Sequence, residues 1–542
     1  MIGVPKMRRN LGLVSGGPTS CNFRQKFFVN ADVPDEPPKK GVNLTNYDRF
    51  ELRNGLTPLR LGRCGSVVLF VFNRPLSYSG RMLLRLLLFI FLAQSLCAET
   101  VSSQAGWAEV EITPPLGVEM GGRGPVDTVG KRVLDPLKAQ VLFLKDSKGV
   151  GFALVSFDLV GMSHELSDRI RTMLVHELGV DWNLTVVNCS HTHSGPQMNL
   201  NVMARLTPIP QNQLDYQDSV FEKILQATRV VAKSLHPVKA EVFEGKSQIA
   251  INRRGHDKNG EPSMRPNPDG PIAEKLWVLK LTPLDGTAPA VIFSYACHPV
   301  IVYGYAGTAI SADFPGQARN ALRKELGEKT HLQFVQGLAG DVRPRALANL
   351  EKNSFRASKP DDAPNVGKQL ANDVLAALKT TPKVLNLNLA ADLERPFLPK
   401  DNPPPRAQYE KLLIEGKGER QRNIAKYWLQ RYDSGMGFSK GDAWPTGLIR
   451  LSDNQWVCYF AGEPCVEWGP KVSQWLAPRD VVFWGYSQET ITYLPTAEML
   501  PAGGYEVLDS NRARSSSPAQ FAPGIDDSMH RSLLRQLRAI GE

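Results

Sequence analysis

The sequence is poor in cysteine for its size. It has 7 cysteines among 542 residues, and only Cys189, Cys297, Cys458 and Cys465 lie beyond residue 98. So few thiols cannot staple a domain of this length, which excludes a disulfide-built scaffold. Cys189 and Cys297 lie at or beside histidine motifs, so metal ligation and simple buried packing are both open for them.

The main body of the chain also lacks an excess of charge of either sign. The formal net charge is +10, but residues 1–81 alone carry +8 and Arg85 adds one more. About +1 is therefore left for residues 86–542. A nearly neutral body has no electrostatic footprint for a polyanion, so we expect no nucleic-acid partner.

Long hydrophobic runs are missing apart from one short stretch at 82–98, which is flanked by Arg81 and contains Arg85. A bilayer span takes about 20 apolar residues, so this run is too short to cross comfortably and is typical of a secretory signal peptide. We therefore expect 1–81 to be a mis-assigned or disordered extension, with translation starting at Met82, and 99–542 to be an exported domain in the periplasm or outside the cell. A genuine cytoplasmic tail before a signal anchor is the alternative.

From residue 104 onward, strand-like and helix-like runs alternate without repeats or heptads. This pattern predicts an α/β fold class, a single large mixed-sheet domain with surrounding helices and an active site at the strand ends. Ser163 and Gly179 are the predicted caps of one helix, and Asp313 is the predicted cap of another. Further helices are predicted at 366–378 and 408–432. Strands are predicted at 150–159, 184–188, 240–243, 276–281, 291–295, 331–335, 447–451, 457–460 and 481–486.

Polar motifs follow five of these strands. They are His191-Thr-His193, Cys297-His298-Pro299, Gly340-Asp341-Val342-Arg343-Pro344, Gly462-Glu463-Pro464 and Tyr493-Leu-Pro495. Strand ends that face one way are where α/β folds build their sites, so the recurrence predicts one convergent site.

The His-x-His motif is the most informative of the five. In an extended chain, residues i and i+2 point to the same face, so His191 and His193 can aim two imidazoles at one spot. Imidazole and carboxylate ligands suit zinc, and His298 and Glu463 are further candidate ligands. The alternatives are hydrogen-bonded structural histidines and a glutamate that favours a helix start.

Together the motifs resemble the catalytic region of the neutral/alkaline (non-lysosomal) ceramidase family. Ser190-His-Thr-His-Ser-Gly-Pro196 is similar to that family's Thr-His-Thr-His-Ser-Gly-Pro, and the order and spacing fit from about residue 106 to 510. The likeness continues through Ile251-Asn252-Arg253, Tyr493-Leu-Pro-Thr496 and Gly504-Tyr505-Glu506. The resemblance implies zinc bound by His191, His298, Glu463 and Tyr493, with His193 handling protons and Arg253 and Tyr505 steadying the substrate carbonyl and its oxyanion.

This chain departs from the family at positions near the implied site. It has Gly-Asp-Val-Arg343-Pro-Arg345 where the family has Gly-Asp-Val-Ser-Pro-Asn, and Asn252-Arg253-Arg254-Gly255 where the family has Asn-Arg-Ser-Pro. We therefore predict Arg343, Arg254 and Asp341 as substrate-binding residues and a more anionic or more polar substrate than ceramide. Alternatively, the arginines turn outward or pair with Asp341 and Asp313. We also expect the family's C-terminal immunoglobulin-like domain to be absent.

The sequence thus predicts an exported, zinc-dependent, ceramidase-like hydrolase that cleaves an N-acyl amide bond with metal-activated water. The expected partner is a small-molecule or lipid-like N-acyl substrate, as in sphingolipid metabolism, with no stable membrane span after signal cleavage. An esterase or lactonase on the same site is one alternative. A catalytically silent protein that binds a metal and an anion is the other.

Overall fold

The computed structural model describes residues 102–541, except 123–127, 200–207, 417 and 515, together with two short strands nearer the N-terminus. The chain divides into two compact units, Met1–Ala98 and Glu99–Glu542. In the first unit, β1 (Leu56–Pro58) pairs antiparallel with β2 (Phe70–Phe72). The rest of the predicted extension and the whole predicted signal peptide, 82–98, lie outside the described residues. The second unit carries all the candidate site residues.

The second unit contains 23 strands and ten α-helices within the described residues. The strands are β3 (Gln104–Glu111), β4 (Arg132–Val133), β5 (Lys138–Lys145), β6 (Gly151–Phe157), β7 (Thr185–Cys189), β8 (His236–Lys246), β9 (Ala250–Asn252), β10 (Lys275–Pro283), β11 (Ala290–Tyr295), β12 (Ala309–Ile310), β13 (His331–Gln336), β14 (Val342–Pro344), β15 (Ala348–Asn349), β16 (Ser354–Phe355), β17 (Lys383–Leu385), β18 (Ala390–Glu394), β19 (Phe397–Pro399), β20 (Gly441–Ala443), β21 (Thr446–Ser452), β22 (Gln455–Phe460), β23 (Glu463–Pro464), β24 (Val481–Trp484) and β25 (Tyr493–Leu494).

The helices are α1 (His164–Leu178), α2 (Gln211–Lys233), α3 (Ile301–Tyr305), α4 (Asp313–Leu326), α5 (Asp362–Ala377), α6 (Arg406–Glu415), α7 (Glu419–Asp433), α8 (Trp468–Leu476), α9 (Asn511–Arg514) and α10 (Ile525–Ala539). Short 3₁₀ turns lie at Trp182–Leu184, Arg345–Leu347 and Ala497–Ala502, and a π-helical turn spans Tyr505–Asp509.

A mixed nine-stranded sheet forms the centre of the unit. Its order is β13-β11-β10-β8-β3-β5-β6-β7, with β17 also paired to β8. The β11–β13 and β6–β7 pairs at its two ends are parallel, and the pairs between them are antiparallel. The predicted α/β class with one large mixed sheet and surrounding helices is confirmed.

The sheet is buried on both faces because its strands carry apolar side chains on both faces. In β5, Val141 and Phe143 pack with α1 and α2, whereas Leu142 and Leu144 pack against a second sheet. Helices α4 and α5 cover the β10–β11–β13 end. Each fully buried aliphatic or aromatic side chain contributes roughly 1.5–3 kcal/mol, so these interleaved layers supply most of the stabilisation.

The second sheet has the order β18-β21-β22-β24. The period of two along β22 assigns its faces: Val457 and Tyr459 meet the main sheet, while Cys458 and Phe460 meet α8 and α10. The unit is therefore four layers deep: helices, main sheet, second sheet and helices.

Four helical predictions can be compared with the structure, and the one at 366–378 corresponds to α5. Helix α1 begins after Ser163 and ends at Gly179 in the left-handed region, as predicted. The prediction for Asp313 as a cap is wrong: Ala312 is the N-cap, and Asp313 is the first residue of α4 with φ 57°. The predicted helix at 408–432 is two helices, α6 and α7, because Gly416 and Gly418 interrupt it. Among the described residues, no helix is long and apolar enough to cross a membrane.

The two edge strands of the main sheet, β7 and β13, come together through the segment 485–488, which we name the seam segment. The main-chain N–H of Gly485 donates to Gln336 O, while Cys189 N donates to Tyr486 O. On β7, the Asn188 side chain donates to Gly485 O at 2.7 Å. The seam segment thus bridges the C-terminal ends of the two edge strands.

Candidate metal centre

The polar motifs meet because their strands end at the same side of the unit. His191 and His193 follow β7, His298 follows β11, and Asp341 and Arg343 follow β13. From the second sheet, Glu463 follows β22 and Tyr493 follows β24. Strands β23 and β25 then pair in parallel with Glu463 opposite Tyr493, which brings these two residues side by side.

Three imidazoles and one carboxylate face one another at this point. The Nε2 atom of His193 lies 3.2 Å from Nε2 of His191 and 3.2 Å from Nε2 of His298. The Glu463 Oε2 atom lies 3.1 Å from the His191 Nε2 and 3.7 Å from the His298 Nε2. His191, His298 and Glu463 are buried, and His193 is half-buried at the open side.

Main-chain carbonyls orient two of these rings. The His191 Nδ1 bonds Val160 O, and the His298 Nδ1 lies 3.0 Å from Ala339 O. A ring that donates from Nδ1 presents a lone pair at Nε2, which is the arrangement of a metal-binding histidine. Burial and the neighbouring His191 lower the pKa of His298 well below its usual range, which also favours the neutral form that binds metal.

The donor set fits zinc in chemistry and in spacing. In a tetrahedral zinc site with bonds near 2.0–2.1 Å, neighbouring ligand atoms are about 3.3 Å apart. The four distances above lie between 3.1 and 3.7 Å. Imidazole lone pairs that face one another at this separation would repel. A cation bound at the centre would remove this repulsion.

Two tyrosines and an arginine line the next part of the site. The Tyr493 ring stacks on His298 with centroids 6.5 Å apart and meets the Tyr505 ring at 5.3 Å. The Arg253 guanidinium lies 5.4 Å from the Tyr493 ring centroid and 5.8 Å from that of Tyr505. Its Nε donates to Glu506 at 2.9 Å, and its side chain also hydrogen-bonds Tyr493. The structure thus brings Arg253, Tyr493 and Tyr505 to the histidine cluster.

Asp341 and Arg254 are engaged within the protein. The Asp341 carboxylate accepts from the Asn252 side chain at 3.0 Å and from Val466 N at 2.8 Å, and its side chain is fully buried. Arg254 donates to Glu506 at 2.8 Å and to Gly503 O at 2.9 Å. Through these contacts both residues stabilise the structure of the site. Arg254 therefore has fewer N–H groups available to bind a substrate. Asp313, the other carboxylate considered for the arginines, instead accepts from Val302 N and Phe314 N.

Arg343 is held differently. Its guanidinium stacks on the Phe355 ring at 4.3 Å, and its Nη1 contacts the Met264 sulfur at 3.8 Å. Burial lowers the pKa of Arg343 to about 10, and the nearby Arg253 charge adds to this effect.

The sequence missed several neighbours of the site. Tyr486 packs its ring against His191 at 4.3 Å and has φ 51°, and Tyr303 approaches His193 at 5.9 Å from the surface. Glu506 holds both Arg253 and Arg254, although only its place in Gly504-Tyr505-Glu506 hinted at a role. Glu467 hydrogen-bonds Asp341, and burial together with the Asp341 carboxyl raises the pKa of Glu467. That pair, with Cys465, forms a second close cluster of ligand-type atoms.

Comparisons with known proteins give a fold but no family assignment. No family profile matches the chain, and no curated protein matches it. Neutral ceramidase from Pseudomonas aeruginosa matches with TM-score 0.60 and 17% identity over 80% of this chain and 73% of that chain. A structure described as ceramidase complexed with C2 matches with TM-score 0.60 and 16% identity over 81% and 76%. At this identity the likeness shows a shared fold alone.

Proposed function

We propose that residues 99–542 form an exported, zinc-dependent hydrolase that cleaves the amide bond of an N-acyl substrate. The observation that carries the proposal is the meeting of three imidazole nitrogens and the Glu463 carboxylate at zinc-ligand spacing. The shared fold with two ceramidases, whose names describe hydrolases of an N-acyl lipid, supports an amide substrate.

His191, His298 and Glu463 would hold the zinc, with Tyr493 as the fourth protein ligand. A tyrosine has an ordinary pKa near 10, but a nearby cation can lower it enough for ligation. Zinc in such a site supplies an activated water and polarises the substrate carbonyl. The main-chain bonds at Nδ1 keep His191 and His298 in the required orientation.

The protein's own side chains would then carry out the proton and charge transfers. The reaction adds the oxygen of water to the acyl carbon, breaks the carbon–nitrogen bond and delivers a proton to the leaving amine. His193, half-buried beside the cluster, takes the proton from water and passes it to nitrogen. Arg253 and Tyr505 stabilise the negative charge that develops on the carbonyl oxygen, and Glu506 holds Arg253 in place.

The Nε2 atom of His193 lies 3.2 Å from the Nε2 atoms of both His191 and His298. The competing role for His193 is therefore that of a third imidazole ligand. The variants His191→Ala and His193→Ala separate the two roles when zinc content and amide turnover are both measured. We expect His191→Ala to lose zinc and activity, and His193→Ala to keep zinc but lose turnover by about 100- to 10,000-fold. His176→Ala, at an exposed histidine on α1, is the matched control. A fully zinc-loaded His191→Ala protein would refute the ligand role.

Turnover of matched acyl-amide, ester and lactone panels, with and without chelator, tests the reaction class. Chelator-sensitive turnover of the amides supports the proposal. Turnover confined to esters or lactones makes the protein an esterase or lactonase on the same site. Zinc-loaded protein that turns over nothing but binds an anion tightly supports the silent alternative.

The export part of the proposal rests on the apolar run 82–98 and its flanking arginines. N-terminal sequencing of the native protein tests it. We expect a mature end close to residue 99, and an end upstream of Met82 would contradict the proposed start.

A further inference from the structure

Arg343 lies on a two-stranded ribbon, β9–β14, and Arg253 directly follows β9. Arg343 pairs with Ile251 across this antiparallel ribbon. The ladder extends by one step, because Arg253 N donates to Asp341 O at 2.8 Å. Directly opposite residues share a face, and so do residues i and i+2, so Arg343 and Arg253 project from the same face of the ribbon. The mutual effect of the two charges on the pKa of Arg343 agrees with this placement.

The side chains that contact the Arg343 guanidinium carry no negative charge. Phe355 supports the guanidinium at 4.3 Å, and the Met264 sulfur, a weak acceptor, is 3.8 Å from Nη1. The Nε atom is buried and has no hydrogen-bond partner among the described residues. Five guanidinium N–H groups in such a setting favour an anion, because a partly buried charge without one is costly.

The local carboxylates do not balance the arginines. Glu506 is shared by Arg253 and Arg254, at 2.9 and 2.8 Å. The Asp341 carboxylate accepts hydrogen bonds from Asn252 and Val466. Within the described residues, the buried Nη2 of Arg253 also has no hydrogen-bond partner. Two guanidinium groups on one ribbon face, beside the histidine cluster, therefore each have a buried N–H group without a partner among the described residues.

We infer that Arg343 binds an oxyanion group, a carboxylate, phosphate or sulfate, carried by the substrate whose amide is cleaved at the histidine cluster. The inference rests on the proposed function and adds a substrate class to it: N-acyl compounds that carry an anion, with N-acyl amino acids as the simplest case. Arg343 holds that anion, while Arg253 remains with the reacting carbonyl.

Matched probes test the inference on the zinc-loaded full chain. N-lauroylglycine carries a carboxylate, N-lauroylethanolamine is its neutral counterpart, and the O-phosphate of N-lauroylethanolamine supplies the phosphate arm. We expect kcat/KM to favour at least one anionic probe over the neutral one, and Arg343→Gln to reduce that ratio by about 10- to 100-fold. Arg345→Gln, an exposed arginine two residues away that contacts Gln248 O, removes the same charge and should leave the ratio unchanged.

A binding measurement separates failure of this inference from failure of the proposed function. Calorimetry on the zinc-loaded His193→Ala chain, which we expect to keep zinc but lose most turnover, reports anion binding with and without Arg343→Gln. Loss of binding in the double variant supports the inference even if no probe is ever hydrolysed. Turnover of all probes with equal kcat/KM, or equal binding by both chains with matched thermal unfolding, overturns it. Failure of every anionic probe to bind also overturns it.

Discussion

The two sides of the candidate site are fixed by different means. On the metal side, formed by His191, His298 and Glu463, the imidazole rings are oriented by the carbonyls of Val160 and Ala339. On the arginine ribbon, β9–β14, the guanidinium of Arg253 is oriented by the Glu506 side chain. A hydrogen bond to a main-chain carbonyl is kept when the side chain of that residue is substituted. A hydrogen bond to a side chain is lost when that one residue is substituted. The metal side is therefore the rigid part of the site, and the ribbon is the part in which specificity can change.

The largest effect is expected from breaking the metal side at a ligand. Glu463→Gln removes the anionic donor from a fully buried position. Because loss of a mere supporting contact already costs about 10- to 100-fold in metal affinity, we expect this variant to lose at least about 100-fold. Zinc competition titration measures it, with the exposed Glu328→Gln as control. Affinity within a factor of three of wild type would show that Glu463 is not a ligand.

Removing the Glu506 carboxylate, which holds Arg253 and Arg254, should separate catalysis from metal binding. Glu506→Gln leaves Arg253 and Arg254 without their shared carboxylate. We expect kcat to fall by about 10- to 100-fold, and stability to fall by about 3 kcal/mol, because buried charges lose their partner. Zinc content should stay at the wild-type level. Loss of zinc in this variant would mean that the two sides of the site are not independent.

The carboxyl pair Asp341–Glu467 extends the comparison to the pH dependence of stability. The pKa of Glu467 is raised by burial and by Asp341, so folding favours its protonated form. Its contribution to stability is therefore fully present below the ordinary pKa near 4.5 and is lost progressively as pH rises above it. Glu467→Gln keeps the neutral donor to Asp341.

We expect this variant to match wild type near pH 4.5 and to exceed it by about 1–3 kcal/mol at pH 8. Denaturant melts at both pH values measure the difference. Glu328→Gln should show no such pH-dependent gain. A gain that is the same at both pH values would rule out a raised pKa as its cause.

The smallest effect is expected from a change at Tyr486, whose hydroxyl faces the Nδ1 edge of the His298 ring. The Tyr486 hydroxyl lies 3.4 Å from the His298 Nδ1, farther than the Ala339 carbonyl at 3.0 Å. Tyr486→Phe should change zinc affinity by less than about threefold, in contrast to the 10- to 100-fold typical of a supporting contact. A tenfold loss would show that side chains orient the metal side as well.

Much of the fold could be predicted because its signals are local. Apolar runs bounded by turn residues predicted strands such as β11 and β22, and capping residues predicted both ends of α1. Strands β3 and β5 were missed. The pairing of two sheets into layers has no local signature, because it depends on which face of each strand meets which partner.

The site was partly predictable for a related reason. Motifs after strands predicted the residues that meet, since strand ends share an edge. The support behind them was not predictable: the carbonyls of Val160 and Ala339 belong to residues whose side chains carry no sign of that role. The arginine substitutions were visible in the sequence, but only the structure distinguishes Arg254, which is held by Glu506, from Arg343, which is not.

The seam segment has a consequence for how the chain is made. Strands β7 and β13 leave the ribosome more than a hundred residues before the segment 485–488 that bridges their C-terminal ends. Until then the C-terminal ends of both strands lack these backbone partners, and unpaired strand edges are templates for association with other chains. A chain that terminates before residue 485 never gains these partners, so we expect prematurely terminated chains to aggregate. We also expect a chaperone that shields strand edges to improve the yield of the full-length protein.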